Sequence, residues 1–358
     1  MCYKLNSLHL QIITQCGKYR KKIERRICMK SLFAKIKAPL VEIFTPFKLH
    51  HDGLTIRKTD VSKKADKATT DHKPNFHYSV LYQEMVDYHA LKYHLKNVIE
   101  NQPGGLVMSH SNAECSTLSI KEHLKIIKKA VEESNGRVPV FGATTSNATS
   151  TVLELALGAR DLGVDAIIID LPYYNRAQLN GVRHHYEIIR QYIDLPIVMS
   201  LNTARSNAEI NPGLIHAMAK DGIIDGLIIE HANKEHVDYL LKHRLKNLPI
   251  FTNDYSMCHL MTNGADGVVS SVANFDYLRI YKLYQALKEK NTKLIGNLQA
   301  ELGYIVASMA GAPPPLALKA VMASTDKNFH ELFRPPLYPV QSDIRGSLQN
   351  MMENMGYI

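Results

Sequence analysis

Side chains able to act as acids, bases or ligands recur at the carboxyl ends of eight short apolar runs in this 358-residue chain. They are Thr45, His110, Ser111, Asn112, Glu114, Thr144, Thr145, Ser146, Asp170, Tyr173, Tyr174, Asn202, Arg205, Glu230, His231, Asn253, Asp254, Ser270, Ser271 and Asn274. Hydroxyl and amide donors with one arginine suit a small carboxylate or keto acid better than a polyphosphate. The same residue types also cap helices, close turns and pack at rims. These polar residues form one binding site only if the fold brings the carboxyl ends of the eight apolar runs together.

Acids and imidazoles in this set offer a second kind of chemistry. Some of His110, Asp170, Glu230, His231 and Asp254 could hold a divalent metal that polarises a keto acid. Their spacing, however, matches no diagnostic ligand pattern. The sequence therefore predicts no metal and no other cofactor, and a metal enzyme is kept as the competing hypothesis.

The eight apolar runs predict the strands that position these residues. They span 38–47, 104–112, 138–146, 164–175, 195–202, 224–233, 249–256 and 265–274. Near-continuous Val, Ile and Leu is typical of parallel strands buried on both faces. Amphipathic segments such as 116–134 separate the runs, in units of about 30 residues that suit strand, loop and helix. Eight such units predict a (β/α)8 TIM barrel, with the chemistry at the carboxyl ends of its strands. An open doubly wound sheet is the alternative, but no glycine-rich phosphate loop follows the first strand.

The domain prediction places the barrel between two less regular regions. We expect a disordered basic leader over 1–35, the barrel over 36–294 and a small C-terminal helical appendage over 295–358. A polar insertion over 48–83 interrupts the first connection between strand and helix. Such a long loop is either a mobile lid or tolerated surface.

Charge and composition limit the classes of partner and the cellular compartment that we expect. Residues 1–30 contain eight Lys or Arg and one acid, so they account for +7 of the net charge of +9, and the rest of the chain for only +2. That balance argues against a nucleic-acid partner. No window reaches the roughly 18 consecutive apolar residues of a membrane span, so we expect a soluble protein. The cysteines form no disulfide framework, which favours a reducing compartment. We expect the cytoplasm, and the arginine-rich leader keeps organelle targeting open.

An ordered series of motifs makes the chain resemble a known family. The motifs are "TPF" (45–47), "HSNAECSTL" (110–118), "VPVFGATTSNATSTVLELA" (138–156), "LPYYNRAQLNGVRHHYEII" (171–189), "GADGVVSSVAN" (264–274) and "RPPLYP" (334–339). Over residues 36–340 they resemble the dihydrodipicolinate synthase and N-acetylneuraminate lyase group of pyruvate-dependent aldolases. The resemblance independently implies the TIM barrel, and it implies assembly as a homo-oligomer, a tetramer or a dimer.

The family's site residues can be carried over position by position. Its members use a lysine at the end of the sixth strand to form a Schiff base with the keto acid. The resemblance makes Ser111 the relay hydroxyl, Tyr174 one relay tyrosine and Asn112 part of the binding site for the substrate carboxylate. Arg205 matches the arginine at the mouth if one residue is deleted after Ala204.

Two members of that machinery are missing from this chain. The family's lysine falls on Ile228, or on Ile229 if the match is shifted by one residue, and the second tyrosine falls on Leu201. No lysine occurs between Lys220 and Lys234. Isoleucine cannot form an imine, and leucine cannot relay protons. We therefore expect two apolar side chains to fill the centre of the family's site.

Three hypotheses follow. The leading one is a family member without Schiff-base aldolase activity that persists as a keto-acid-binding, regulatory or oligomer-partner protein, with an active paralogue as a conceivable partner. The competing one is an active lyase on small keto acids that uses a relocated lysine, such as Lys234, or a divalent metal. The third is divergence without any present role.

Overall fold

A computed structural model describes residues 31–49 and 84–358. Residues 1–30 and 50–83 lie outside that description, so most of the predicted leader and insertion cannot be compared with it. Residues 31–35, which the domain prediction placed in the leader, form a helical turn. Leu32 is buried there, and the Phe33 ring lies 6.0 Å from that of Phe251. Disorder over 31–35 is therefore a wrong expectation, because these apolar side chains pack against the barrel interior.

Eight parallel strands close into a barrel, as predicted. The ten strands of the described residues are β1 Leu40–Glu42, β2 Phe47–Leu49, β3 Glu84–Val86, β4 Gly105–Met108, β5 Val140–Ala143, β6 Ala166–Asp170, β7 Ile197–Asn202, β8 Gly226–His231, β9 Ile250–Thr252 and β10 Gly267–Ser270. The barrel order is β1-β10-β9-β8-β7-β6-β5-β4, and β2 pairs with β3 in a separate antiparallel ribbon. Each barrel strand lies within one of the eight apolar runs. The (β/α)8 TIM barrel is confirmed.

Helices follow the barrel strands and continue to the C-terminus. They are α1 Tyr88–Glu100, α2 Ile120–Ser134, α3 Thr149–Leu162, α4 Leu179–Tyr192, α5 Thr203–Ser206, α6 Pro212–Asp221, α7 Lys234–Lys242, α8 Met257–Thr262, α9 Tyr277–Glu289, α10 Thr292–Met309, α11 Pro314–Thr325 and α12 Ser342–Met355. Short 3-10 turns lie at Ser111–Ala113, Cys115–Thr117 and Val272–Asn274. A capping box between Ser119 and Glu122 fixes the start of α2.

Side chains alternate between two cores along each barrel strand. The inner core fills the barrel, and its members include Leu40, Val107, Ile168, Val198 and Ile228. The outer core lies between the strands and the helices. Successive residues of a strand point to opposite faces, so one inner residue is followed by one outer residue. This alternation decides which strand-end side chains can meet.

Two buried cations join the C-terminal region to the barrel. Lys319 of α11 forms an ion pair with Glu114, and its amine lies 4.0 Å from the centre of the Phe47 ring. Arg334 donates to both carboxylate oxygens of Glu122, at 2.6 and 3.0 Å. The C-terminal helices therefore hold the loop after β4, which carries His110, Ser111 and Asn112.

No single helix of the described ranges is both long and apolar enough to cross a bilayer. Thr292–Met309 and Pro314–Thr325 reach that length and apolar composition only when taken together, and the chain bends by 106° between them.

Candidate ligand site at the barrel mouth

His110 lies at the centre of a polar cluster at the carboxyl ends of the strands. Its Nδ1 is 3.1 Å from Glu42 Oε1, and its Nε2 is 2.9 Å from Asp170 Oδ1 and 3.4 Å from Glu230 Oε1. The imidazole is 1 % exposed. Asp170 and Glu230 end the apolar parts of β6 and β8, whereas Glu42 ends β1. Three different strands thus bring three carboxyl groups to one imidazole.

Glu42 is the anchor of the loop after β4. Its carboxylate accepts hydrogen bonds from the Asn112 backbone N–H at 2.9 Å, the Asn112 side-chain amide at 2.8 Å and the Ser111 hydroxyl at 3.5 Å. The Asn274 side chain donates to the Glu42 carbonyl at 2.8 Å. Buried carboxylates need such donors because desolvation is costly.

The Glu230 carboxyl is held from the neighbouring strand. Ser200 donates to one of its oxygens and Asn202 to the other, each at 2.9 Å. Glu230 is therefore oriented toward His110 by two residues of β7.

Electrostatics distinguishes the three carboxyl groups. Burial would lower the pKa of His110, but the charges of Asp170, Glu230 and Glu42 hold it well above its ordinary value. Burial would raise the pKa of Glu42 and Asp170, but the His110 charge and hydrogen bonds keep both below their ordinary values. Burial together with repulsion from Asp170 and Glu42 raises the pKa of Glu230, although His110 opposes this shift. Of these three carboxyl groups, Glu230 is thus the one that most readily takes up a proton.

Two neighbouring cavities, which share lining residues, lie at this cluster. The main cavity, of about 720 Å³, is lined by residues that include Glu42, Ile228, Glu230 and Asp254. The side cavity, of about 380 Å³, is lined by residues that include Ser111, Cys115, Asp170 and Tyr173. Asn202 and Arg205 line both. Volumes of this size accommodate a small organic acid.

The structure decides between Ile228 and Ile229 as the position that corresponds to the family's lysine. Ile228 belongs to the inner core, is 1 % exposed and lines the main cavity. Ile229 belongs to the outer core and faces the helices. An amine at position 228 would therefore point into the barrel, whereas one at position 229 would not.

Leu201 and Tyr174 lie away from the cluster. Leu201 belongs to the outer core and lines neither cavity, so the expectation that it fills the centre together with Ile228 is wrong. The inward-facing neighbour on β7 is Ser200, which bonds to Glu230. Tyr174 is 86 % exposed and has a φ of 70°, whereas the adjacent Tyr173 lines the side cavity. Strand alternation and the turn after β6 account for both differences.

The remaining carried-over residues are gathered at the mouth. Ser111 and Asn112 are buried and bond to Glu42, so their polar groups hold the protein's own carboxylate. Asn112 also donates to Ser271 Oγ at 2.6 Å. Arg205 is exposed and lines both cavities, where its guanidinium is available to a carboxylate.

Among the described residues, one thiol and no lysine amine line the two cavities. Cys115 lines the side cavity, but burial raises the pKa of its thiol to about 11, so it stays protonated at neutral pH. No lysine of the described ranges lines either cavity. Lys234 begins α7, is 77 % exposed at its side chain and pairs with Asp238 at 2.6 Å. Lys319 is buried against Glu114.

Two residues of this region are not among the side chains that the sequence indicates. Glu42 falls inside the first apolar run, although an acid inside a doubly buried strand is a signal of a site. The local pattern of α11 does not reveal that the Lys319 amine meets Glu114 of the distant loop.

Comparisons with known proteins agree with this fold. The model of the dihydrodipicolinate synthetase family matches residues 77–355. A 4-hydroxy-tetrahydrodipicolinate synthase of Methanocaldococcus jannaschii is 28 % identical over 274 residues, which cover 76 % of this chain and 94 % of the relative. The protein of the same name from Staphylococcus carnosus is 30 % identical over 269 residues, covering 74 % and 90 %.

Solved structures share the fold. A chloride-inhibited dihydrodipicolinate synthase of Acinetobacter baumannii in complex with pyruvate has a TM-score of 0.76 and 23 % identity, covering 90 % of this chain and all of that one. The family match extends over more than half of the chain and includes every barrel strand except β1. The chain therefore belongs to the dihydrodipicolinate synthetase family.

Proposed function

We propose that this protein binds a small keto acid or carboxylate at the barrel mouth and has no Schiff-base aldolase activity. The observation that carries the proposal is Ile228, which is buried on the inner face of β8 and lines the main cavity where the family resemblance places an amine. An aliphatic side chain has no lone pair to attack a carbonyl. Relatives named as synthases support the shared scaffold, and their chemistry is a property of those proteins.

Binding is supported by the groups that remain at the mouth. Arg205 is exposed to both cavities and can pair with a carboxylate in the bidentate geometry that guanidinium favours. Hydroxyl and amide groups of Asn202, Ser271 and Tyr173 surround the same space. We propose that these groups hold a bound acid and do not convert it.

A relocated lysine is the weaker alternative. Lys234 extends into solvent and pairs with Asp238, and Lys319 pairs with Glu114 beneath the loop after β4. Catalysis by an amine requires placement against the carbonyl carbon to within a fraction of an ångström. Neither amine borders the cavities, so neither supports an imine with a ligand bound there.

The deciding experiment combines trapping with binding. The full chain is incubated with pyruvate and sodium borohydride and its intact mass is measured, while pyruvate binding is followed by calorimetric titration. We expect binding without a covalent adduct. Arg205→Ala should weaken the binding, whereas Tyr174→Phe should leave it unchanged because that side chain lies in solvent. A reduced adduct on any lysine of the unmodified chain would overturn the loss of imine chemistry, and absence of binding of any tested keto acid would overturn retention.

We also propose assembly with further copies of the chain, or with an active paralogue. One similar structure, with a TM-score of 0.77, is described as the first monomeric dihydrodipicolinate synthase variant, so a monomer is a real outcome for this fold. Native mass measurement of the purified chain, alone and mixed with a paralogue, distinguishes these states. A mass of 40.4 kDa at micromolar concentration in both samples would refute the assembly proposal.

A further inference from the structure

His110, Asp170 and Glu230 present their ligand atoms to one point at the barrel mouth. We propose that these three side chains bind a divalent metal ion of the first transition row. One ligand atom from each residue lies within 4.8 Å of the others. The Nε2 of His110 is 2.9 Å from Asp170 Oδ1 and 3.4 Å from Glu230 Oε1. Ligand atoms about 2.1 Å from a metal are separated by about 3.0 Å in an octahedron and about 3.4 Å in a tetrahedron. The two separations that involve His110 Nε2 match those edges.

Glu42 prepares the imidazole for this role. It lies 3.1 Å from His110 Nδ1, and it is fixed by Asn112 through both the backbone and the side chain. A histidine that donates its Nδ1 proton to a carboxylate presents a lone pair on Nε2, which is the arrangement found behind metal-bound histidines. Glu42 is therefore a positioning residue of the proposed site.

Protons compete with a metal ion for this site. The neighbouring carboxyl groups hold the pKa of His110 well above its ordinary value, so a second ring proton on Nε2 donates to Asp170 Oδ1 at 2.9 Å. A metal ion would displace that proton and bond Nε2 together with the oxygens of Asp170 and Glu230.

The cavities give the ion access and open coordination positions. Glu42 and Glu230 line the main cavity, and Asp170 lines the side cavity. Protein supplies three ligands, so water or an oxygen ligand from the cavity can fill the rest. One imidazole and two carboxylates suit Mn²⁺, Co²⁺ or Zn²⁺ better than an all-oxygen ion such as Ca²⁺.

Two neighbouring groups serve as matched controls. Asp254 lines the same cavity, but its carboxylate accepts from Ser270 Oγ at 2.5 Å and from the Ser271 N–H at 2.8 Å. His231 lines that cavity as well, and its Nδ1 is 2.8 Å from Thr203 Oγ1. Both side chains are of a type that binds metals, but they lie outside the triad of His110, Asp170 and Glu230. Their variants therefore show whether metal binding depends on the triad or only on the negative charge of the mouth.

The test is metal binding by the full chain after treatment with a chelator and its removal. Mn²⁺, Co²⁺ and Zn²⁺ are titrated separately by calorimetry, and the Co²⁺ complex is also followed by its visible absorption. We expect one ion per chain, with Asp170→Asn and Glu230→Gln each weakening binding at least tenfold. Glu42→Gln should weaken it about 10- to 100-fold, the usual effect of losing the partner of a ligating histidine. Asp254→Asn and His231→Gln should change it less than twofold.

Failure of the unmodified chain to bind any of the three ions at 1 mM would overturn the site and leave the doubly protonated imidazole as the explanation. Equal weakening by Asp254→Asn would overturn the assignment to the triad. A ligand field spectrum of the Co²⁺ complex with nitrogen coordination, lost in His110→Gln, supports it even if a carboxylate variant fails to fold. Cation binding is measured without any keto acid, so failure of the proposed function would leave this result unaffected, and the reverse is also true.

Discussion

Replacement of Ile228 by lysine tests whether this position is the one from which an imine can form. Ile228 is on the inner face of β8 and borders the main cavity. The substitution supplies an amine two residues before Glu230, on the same face of the strand. We expect Ile228→Lys to give a covalent adduct with pyruvate and borohydride that the unmodified chain does not give.

The cost in stability follows from burial of the new amine. Isoleucine and lysine each carry four side-chain carbons, so most aliphatic contact survives and the ammonium group dominates the change. Lys319 is a guide within the same protein, because burial lowers its pKa from 10.5 to about 8 even beside Glu114. An equal shift at position 228 corresponds to about 3 kcal/mol, at about 1.36 kcal/mol per unit.

The pH dependence has a definite sign. A folded pKa near 8, below the unfolded value of 10.5, means that the penalty is present in full below pH 8 and disappears as the pH rises toward 10.5. The variant should therefore be least stable relative to the unmodified chain at neutral pH. Adduct formation should increase over the same range, because only the neutral amine attacks the carbonyl.

The assay uses intact mass after trapping and urea unfolding of each variant at several pH values. Ile229→Lys is the matched control for strand register, since its side chain faces the outer core and should give no adduct. Ile228→Met controls for repacking without an amine. A folded Ile228→Lys protein that binds pyruvate without forming an adduct would refute the assignment of this position, as would an equal adduct from Ile229→Lys.

Three further predictions concern ion pairs. Glu122→Gln should lower the free energy of unfolding at pH 7 by about 1–2 kcal/mol. Although burial opposes it, hydrogen bonds from Arg334 and Ser119 lower the pKa of Glu122 to about 2, so the difference from the unmodified chain should fade as the pH falls from 4.5 toward 2; a difference that persists at pH 2 would contradict this. Lys319→Met should cost about 3–5 kcal/mol because it leaves Glu114 buried without its cation, and addition of Glu114→Leu should recover most of the loss in urea unfolding. Arg205→Ala should weaken pyruvate binding about 10- to 100-fold in calorimetric titration without changing the unfolding midpoint, and Arg205→Lys should fall between the two.

Much of the fold could be predicted because each buried parallel strand has a recognisable local sequence pattern. All eight apolar runs contain a strand, since a strand buried on both faces requires continuous aliphatic side chains. The polar residues after those runs meet at one end, as the barrel rule requires. His110, Asp170 and Glu230 were therefore within the predicted set, although their spacing along the chain gave no sign that they meet.

The placement of side chains could be predicted less well from the family's motifs. Tyr174 and Leu201 match motif positions, yet the structure places one in solvent and the other in the outer core. The reason is that a side chain's direction depends on strand alternation and on turn conformation. A shift of one residue exchanges the inner and outer faces, and local similarity fixes register only to about one residue.

The sequence by itself determined the barrel, the family and the absence of an amine around position 228, because these depend on residue types within short segments. Tertiary structure decided that Ile228 rather than Ile229 faces the cavity. It also decided that Glu42, His110, Asp170 and Glu230 form one cluster. Those four residues come from four separate units of the barrel, and closure of the sheet, which no local pattern records, brings their side chains into contact.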